Sequence, residues 1–419
     1  MRQIMMEQQA KQVNEPSDFH DLLKQLRCTD AGCAKMLSEV DNILFVGGSA
    51  ITGYIFDKEN IVWEYCKEPQ LIIRETGFEL CRIATEKLEA LQKLPEYRNL
   101  SKKEIVQIEK NILNLESSRK IIAVLKQVSV VDDSRFDTLL NKYLPVKGGN
   151  FNLQTGSFDK RKKEDYFTFC LDVELVDDTK RAEDFVKLYC PDNDEDTYQH
   201  MLDVLSYGIT PWNFLKMFCL FYGIPNSGKS KLIQAVSEFL GKRLSTAVTH
   251  SFFRAAKKAQ AGAPTPEITQ AVGVHLATFG DAQPGMLDNE TIKIMTGNDK
   301  ISYRPLFQES RQTTLVCKLY INTNHILAWK PEEAMDIRVH VLTFENVFVE
   351  HEPTKATEKK KNKQIDIMMK DTNFKNQMFS LLARNCPKLW KAQQLTHSDY
   401  IEKHKKIYLT KVDNVNTFF

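Results

Sequence analysis

The chain of 419 residues has few cysteines, no long hydrophobic run and no excess of charge of one sign. Its nine cysteines are scattered, their number is odd, and none of their spacings is that of a zinc site. These features argue against a disulfide framework and against a zinc module. We interpret the cysteines as reduced thiols in a cytosol-like compartment, where their role is packing in the core.

The absence of long apolar segments excludes other classes of protein. The most hydrophobic stretch, Phe214 to Ile224, is too short to cross a bilayer and contains Lys216. The first residues, Met1 to Asn14, are polar and lack the apolar centre of a signal peptide. We therefore expect a soluble protein with no membrane partner. A net charge of +2 excludes a uniformly basic nucleic-acid-binding protein, but a local basic patch remains compatible with it.

One segment has a spacing specific enough to predict chemistry. It fits the phosphate-loop pattern, in which two glycines five positions apart are followed by Lys and Ser: Gly223, Ile224, Pro225, Asn226, Ser227, Gly228, Lys229 and Ser230. The glycines let successive backbone N–H groups turn toward a phosphate. Lys229 would bring positive charge to the β- and γ-phosphates, and Ser230 would offer a hydroxyl to Mg²⁺. The alternative is an ordinary glycine-containing turn.

The residues around this loop place it between a strand and a helix. An apolar run, Met217 to Tyr222, precedes it, and apolar residues recur at helical spacing after it: Leu232, Val236, Phe239 and Leu240. The N-terminus of that helix, with its positive dipole, would face the bound anion.

Three further apolar runs follow along the chain: Val274 to Phe279, Thr314 to Ile321 and Arg338 to Phe344. Runs of this length, separated by helical or loop segments, predict the buried parallel strands of an α/β NTPase core. Ligands of such sheets bind beyond the carboxyl ends of the strands, where Asp281 and Asn324 follow their runs. We therefore expect the phosphate loop, Asp281 and Asn324 to form one site.

Phosphoryl transfer from ATP needs a metal ion, an oriented water and positive charge at the transition state. Asp281 is the natural carboxylate for Mg²⁺, and a turn or helix cap is its alternative role. Gly280 precedes it where many ATPases have a second acid, so either Asp281 also serves as the base or the base comes from elsewhere. Asn324 is predicted to bind the γ-phosphate or the attacking water, unless it only forms a turn. Arg338 is either a surface charge or an arginine finger for the ATP of a neighbouring subunit.

Between these motifs, Gly297 to Asp299 is a tight-turn signal with basic residues on both sides. A hairpin around this turn would present Lys293, Lys300 and Arg304 to a nucleic-acid backbone, and Tyr303 would stack on a base. A plain exposed turn is the alternative. The later basic run, from Lys355 to Lys363, is either a solvated loop or a second nucleic-acid contact.

Four regions follow from this reading. Residues 1–40 form an N-terminal extension, 41–180 a mixed α/β domain, 181–350 the ATPase core, and 351–419 a basic loop and helical C-terminal region. In the second region a hairpin is expected over residues 42–63, followed by helical segments over 71–94 and 102–130.

The order of these motifs resembles that of the superfamily 3 helicases, in particular the helicase portion and preceding domain of the poxvirus-type primase–helicase family of large DNA viruses, phages and plasmids. The motifs that carry the resemblance are Gly223 to Ser230, Thr278 to Asp281, Lys293 to Arg304 with the Pro-Leu-Phe that follows, Tyr320 to His325, and Asp336 to Val341. Upstream, Leu144 to Gly156 and Asp165 to Thr168 are similar to the domain that precedes the helicase in that family.

The resemblance implies an AAA+-like P-loop NTPase core in a hexameric ring that hydrolyses ATP with Mg²⁺ between subunits. The ring would pull single-stranded DNA through its channel and unwind duplexes 3′ to 5′ during genome replication of a virus or mobile element. Primase and polymerase would be partners, and the host cytoplasm or a viral replication site the location. Arg338 would act in trans, and the segment from Lys293 to Arg304 would line the pore.

Two departures from that family keep other interpretations open. No primase signature is visible upstream, so the chain is either a piece of a longer primase–helicase or a helicase without a fused primase. Gly280 stands where the family has an acid, which leaves open a nucleotide-gated DNA-binding assembly protein with little or no turnover. A small-molecule kinase is a third reading, but the chain shows no compact acceptor site.

Overall fold

The computed structural model describes residues 19–46, 51–126, 128, 133–192, 194–249, 266–306 and 310–416. Contacts among these residues divide the chain into two units. The first extends to Asp137 and also includes Lys163–Thr168, and the second contains Thr138–Lys162 and the chain from Phe169 onward. The region boundaries that the motif order predicts, after residues 40, 180 and 350, rest on a different criterion and stay predictions.

The first unit combines helices with a three-stranded antiparallel sheet. Its elements are α1 (Phe19–Leu26), α2 (Asp30–Leu37), β1 (Ile43–Val46), β2 (Thr52–Asp57), β3 (Val62–Cys66), α3 (Pro69–Gln92), α4 (Lys102–Leu113) and α5 (Ser118–Leu125). The helices and one face of the sheet bury a common core that includes Leu26, Ile72, Leu80, Ile83 and Ile121.

The hairpin expected over residues 42–63 is confirmed, because β2 and β3 pair antiparallel with Tyr54 opposite Tyr65. The helical region expected over 102–130 is divided in two as far as it is described. A 3₁₀ turn, Asn114–Glu116, separates α4 from α5. Asparagine favours such a break because its side chain competes with the helix for backbone hydrogen bonds.

The second unit begins with three short strands and two helices: β4 (Tyr143–Val146), β5 (Gly149–Asn152), β6 (Phe158–Asp159), α6 (Lys180–Lys187) and α7 (Glu195–Gly208). Its central part contains β7 (Phe218–Gly223), α8 (Lys229–Leu244), β8 (Ser245–Ala247), α9 (Pro266–Ala271), β9 (Leu276–Ala282), β10 (Gly285–Leu287), α10 (Asn289–Thr296), β11 (Ile301–Tyr303) and β12 (Arg311–Thr313). The remaining elements are β13 (Lys318–Thr323), β14 (Leu327–Trp329), α11 (Glu333–Arg338), β15 (Val339–Phe344), β16 (Val347–Val349), β17 (Glu358–Lys360), α12 (Ile365–Lys370), α13 (Thr372–Ala392) and α14 (Asp399–Asn416).

A five-stranded sheet with the order β15-β7-β13-β9-β8 forms the centre of this unit, and all its strands are parallel. The four apolar runs expected to be strands are β7, β9, β13 and β15, so the prediction of an α/β fold with a parallel sheet is confirmed. Parallel strands are covered on both faces, which is why each reads as a nearly continuous apolar run rather than as an alternating one.

Alternate residues of β7 face different cores. Cys219 and Phe221 belong to the cluster that α7, α8 and α13 cover, whereas Phe218 and Leu220 belong to the cluster on the opposite face with Trp329. This alternation is the two-residue repeat of a strand. The sheet is therefore fixed from both sides, and the loop that leaves β7 begins from a rigid end.

The C-terminal region is helical. Its first long helix is α13, which spans Thr372–Ala392. The last helix, α14, had no sequence signal; its Tyr408 hydroxyl accepts a hydrogen bond from the Leu327 amide across 2.9 Å. None of the helices in the described part of the chain is long and apolar enough to cross a membrane.

Candidate nucleotide-binding site

The segment from Gly223 to Gly228 connects the end of β7 to the start of α8. Asn226 and Gly228 have φ values of 61° and 79°, so the backbone is left-handed at both positions. A Cβ atom at Gly228 would lie 2.6 Å from the Tyr189 ring and 2.9 Å from the Phe348 ring. Conformation and space therefore both require glycine there. Gly228 is also the N-cap of α8, and it offers no side chain to the N–H groups of the first turn.

Lys229, the first residue of α8, is buried and folds back over the loop. Its ammonium group donates hydrogen bonds to the carbonyl oxygens of Gly223 and Ile224, at 3.0 and 2.8 Å. It also contacts Ser227 Oγ and Asn324 Oδ1, both at 2.9 Å. Burial lowers the pKa of Lys229 to about 8, and the nearby charge of Asp281 acts in the opposite direction. The loop thus holds its own lysine in a ring of neutral acceptors.

Ser230 contacts Asn322, which was not among the predicted site residues. The side-chain amide of Asn322 donates a hydrogen bond to Ser230 Oγ across 2.6 Å. The Asn322 Oδ1 atom is buried and has no hydrogen-bond partner among the described residues. Asn322 precedes Asn324 by two positions, the spacing at which strand residues share a face. That spacing is the signal that would have found it.

Asp281 lies near the end of β9, where the pairing with β13 shifts between Ile321 and Thr323. Its φ is 54°, so the irregularity in the ladder coincides with a left-handed residue. Left-handed backbone is uncommon for residues other than glycine, although Asp is among the more tolerant types. The kinked strand end places Asp281 in the lining of the same cavity as Lys229 and Ser230.

This cavity has a volume of about 740 Å³ and lies at the carboxyl edge of the sheet. The polar end is formed by the loop with Asp281, Asn322 and Asn324. The rest of the lining combines charged side chains with an apolar group that comes from α6 and the two residues after it, from β16 and from α12: Phe185, Leu188, Tyr189, Phe348, Ile365 and Met368. A volume of this size holds a small organic ligand rather than a phosphate alone. None of the apolar lining residues was selected from the sequence.

The basic run from Lys355 to Lys363 also contributes to this region. It contains β17, which pairs with β16, and Lys360 and Lys361 line the cavity. Their ammonium groups contact Glu352 and Glu350, respectively. Neither of the two alternatives raised from the sequence, a solvated loop or a nucleic-acid contact, included this placement.

Arg338 is placed differently from the expectation. It does not begin a strand but ends α11, where its Nη1 donates a hydrogen bond to the Ala334 carbonyl across 2.8 Å. The next residue, Val339, pairs with Phe218 at the start of β7, whereas Phe344 pairs with Gly223 at its end. At about 3.3 Å per strand residue, Arg338 therefore lies roughly 20 Å from the phosphate loop of its own chain.

The expected hairpin around Gly297 to Asp299 is wrong in position. Gly297 ends helix α10, which Asp288 caps and whose Ile292 and Met295 are buried at helical spacing. The hairpin itself is formed by β11 and β12, and its connection runs from residue 304 to residue 310. A turn signal follows a helix as readily as a strand, and the buried stripe before it decides between the two.

The four basic and aromatic residues predicted to bind DNA are thereby separated. Lys293 lies on α10 and forms an ion pair with Glu332 at 2.9 Å. Lys300 and Arg304 are exposed on either side of β11, and Tyr303 is half-buried opposite Arg311. The hairpin carries three of the four residues, and their role in binding DNA stays a prediction.

Comparison with known proteins gives one family match. Residues 46–203 match the family described as "D5 N terminal like", which is less than half of the chain. No curated protein matches the sequence.

Among solved structures, the apo structure of the NrS-1 C-terminal region (305–718) has 13% identity and a TM-score of 0.41, and the alignment covers 63% of this chain and 60% of that one. The A-form apo structure of the same region has 13% identity and a TM-score of 0.41, with 58% and 55% covered. The chain therefore spans 60% or less of the length of these proteins, and similarity at this level says nothing about its activity.

Proposed function

We propose that this protein is a Mg²⁺-dependent ATPase that acts as a ring-shaped translocase and helicase on single-stranded DNA during genome replication. The observation that carries the proposal is the convergence of Lys229, Ser230, Asp281 and Asn324 on one cavity with the loop Gly223 to Gly228. These residues come from three different strand ends, which is where parallel α/β sheets bind their ligands. The family match of residues 46–203 agrees with a replication protein of this type.

The polar end of the cavity suits a triphosphate. The left-handed loop and the uncapped start of α8 supply backbone N–H donors, and Lys229 supplies a positive charge. The ammonium group is held by neutral acceptors only, so an anionic phosphate oxygen would replace a neutral carbonyl oxygen and turn the contact into an ion pair. The exchange favours the nucleotide because the ammonium group loses only contacts to neutral acceptors and gains one to a charged acceptor.

The donors for Mg²⁺ are oxygen atoms, as this ion requires. Ser230 would offer its hydroxyl and Asp281 its carboxylate, and the ion would neutralise charge on the phosphates. Among the described residues, no three His, Cys, Asp or Glu side chains form a separate metal cluster. The ion would therefore depend on the nucleotide for part of its coordination, which is the usual situation for Mg²⁺ with ATP.

Asn324 and Asn322 would orient the attacking water. Asn324 already faces the ammonium group of Lys229, and the buried oxygen of Asn322 needs a donor. A water between them would satisfy that oxygen and lie beside the γ-phosphate. The cavity lining contains two carboxylates among the described residues, Asp281 and Asp184, and Asp184 on α6 is already paired with Lys180. Asp281 is therefore the candidate base.

The negative charge that develops in the transition state would be stabilised by Arg338 of a neighbouring subunit. Because Arg338 lies at the opposite edge of the sheet from the loop, a ring in which that edge faces the neighbour's cavity would bring it to the neighbour's ATP. A hexamer with the β11–β12 hairpin at its channel would place Lys300, Tyr303 and Arg304 on single-stranded DNA. A primase and a polymerase would be its partners in replication.

The experiment that tests this proposal is steady-state ATP hydrolysis with and without single-stranded DNA. We expect DNA-stimulated turnover that the Lys229→Ala variant loses. Lys242→Ala, an exposed lysine in the last turn of the same helix, is the matched control and should retain it. Turnover by Lys229→Ala equal to that of the parent would refute the site.

The second candidate is a nucleotide-gated DNA-binding assembly protein with little turnover. Gly280 and the single carboxylate that the strand ends contribute to the cavity favour it. Rings that assemble on ATP, bind DNA and release no phosphate would identify this function.

A further inference from the structure

Tyr189 lies directly outside α6 and faces the phosphate loop. Its Cε1 and hydroxyl oxygen lie 2.6 and 3.1 Å from the position that a Cβ atom of Gly228 would occupy. The ring is held in place by edge contacts with Phe185 and Phe344, whose centroids lie at 5.4 and 5.8 Å. Its orientation is therefore set by packing before any ligand arrives.

The hydroxyl group of Tyr189 has no hydrogen-bond partner among the described residues, although the side chain is only 7% exposed. The hydroxyl is not among the fully buried polar atoms that lack a partner, so it opens to the cavity, where water or a ligand can accept its hydrogen bond. Burial also raises the pKa of Tyr189 far above its usual value, so the group remains a donor at any practical pH. An acceptor that completes this contact has to come from the cavity, which Tyr189 lines.

We propose that the Tyr189 hydroxyl donates a hydrogen bond to a phosphate oxygen of the bound nucleotide. The hydroxyl is next to Gly228, the last residue of the phosphate loop, and the apolar side chains of Leu188 and Met368 that also line the cavity offer no acceptor. A phosphate oxygen is charged, and a hydrogen bond to a charged acceptor is stronger than one to a neutral group. The inference rests on the proposed function and adds to it a binding residue from outside the sheet.

The Tyr189→Phe variant removes this one oxygen and keeps the ring. We expect the dissociation constants for ATP and for inorganic tripolyphosphate to rise roughly tenfold each, the usual loss for a hydrogen bond to a charged group. Calorimetric titration in Mg²⁺ measures both constants. The melting temperature without ligand should remain within about 2 °C, because no partner in the described protein is lost.

Tyr198→Phe is the matched control. Tyr198 is buried to a similar extent, 8% exposed, and its hydroxyl also has no partner among the described residues, but it does not line the cavity. Its removal should change neither constant.

Three results would overturn the inference. The first is equal affinity for both ligands in Tyr189→Phe and in the parent. The second is an equal loss of affinity in Tyr189→Phe and Tyr198→Phe. The third is a loss of affinity for ATP without a loss for tripolyphosphate, which would mean that Tyr189 contacts the nucleoside. If the parent protein binds neither ligand, the proposed function itself fails. That outcome is separate from the other three.

Discussion

Lys229 and Asn324 are joined by a hydrogen bond of 2.9 Å from Nζ to Oδ1, although 95 positions separate them in the chain. The bond links the first residue of the helix after the phosphate loop to the end of the central strand, β13. A γ-phosphate that takes the ammonium group would leave the Asn324 amide free to turn toward the phosphate or its attacking water. The two side chains would therefore rearrange together.

Replacing Asn324 with alanine should impair turnover more than binding. Without the amide, Lys229 keeps its other acceptors and still meets the phosphates, but the water loses its orienting group. We expect kcat for ATP to fall at least ~30-fold and the dissociation constant to change less than ~3-fold, the pattern of an interaction made mainly in the transition state. The parallel replacement Asn373→Ala, an exposed helical asparagine, is the control. A loss of affinity equal to the loss in kcat would contradict this assignment.

Affinity for ATP should decrease as the pH rises above 8. The pKa of Lys229 in the free protein is lowered to about 8 by burial, so the amine loses its charge above that pH. Binding to the phosphates requires the charged form, so binding takes up a proton, and the dissociation constant should rise up to about tenfold per pH unit.

The variant Lys229→Arg tests the origin of this pH dependence. A guanidinium stays charged throughout the range, so the variant should show a flat profile above pH 8, whatever its absolute affinity. Identical profiles in variant and parent would assign the effect to another group.

Gly228→Ala should abolish nucleotide binding. The new methyl group would need a φ near 79° and would collide with the rings of Tyr189 and Phe348. Gly273→Ala is the matched control, since Gly273 has a similar φ of 76° but no atom within 4 Å of an added Cβ. The control should lose only ~1 kcal/mol of unfolding free energy and bind ATP normally. Comparing ATP titrations and denaturant midpoints for the two variants separates backbone strain from the collision.

Lys300→Ala should weaken binding of single-stranded DNA and reduce the slope of log K against log salt by about 0.7, the value for one phosphate contact. Lys293→Ala should change this slope less, because Lys293 is paired with Glu332 on α10. Fluorescence anisotropy at several salt concentrations measures both. Equal slopes in Lys300→Ala and the parent would mean that the hairpin is a plain exposed turn that does not bind DNA.

Arg338→Ala should still bind ATP, because the residue is roughly 20 Å from the loop of its own chain. It should not hydrolyse ATP, because the neighbouring subunit's site loses the arginine that stabilises its transition state. Mixed with Lys229→Ala, which keeps Arg338 but lacks the loop lysine, it should recover part of the activity. Only a site shared between subunits gives such recovery. Absence of recovery at every mixing ratio, in assemblies shown to exchange subunits, would exclude action in trans.

The sheet and the loop were predictable because their signals are local. Buried parallel strands such as β7 and β13 give apolar runs, and the loop needs Gly228 for a conformation that other residues adopt at a cost. Asp281 and Asn324 were placed at strand ends by the same reasoning, and both line the cavity. Their chemical roles stay predictions.

The apolar half of the cavity was not predictable because its signals are not local. Tyr189 precedes the loop by more than 30 positions and Phe348 follows it by more than 100. Each reads in the sequence as an ordinary core aromatic, and only the fold shows that both rings lie over Gly228. Asn322 is different, because its signal was local and was overlooked: it precedes Asn324 by two positions, the spacing at which strand residues share a face.

A hydrogen bond between the phosphate loop and β16 limits where a functional fragment of this chain can end. The Phe348 amide donates a hydrogen bond to the Asn226 carbonyl across 2.9 Å, and β17 and α12 complete the wall beyond it. A polypeptide that stops at residue 350 would contain every motif residue but lack the wall from Lys360 to Met368. During synthesis, the motif therefore leaves the ribosome well before the cavity exists, and the site matures only when α12 has been made.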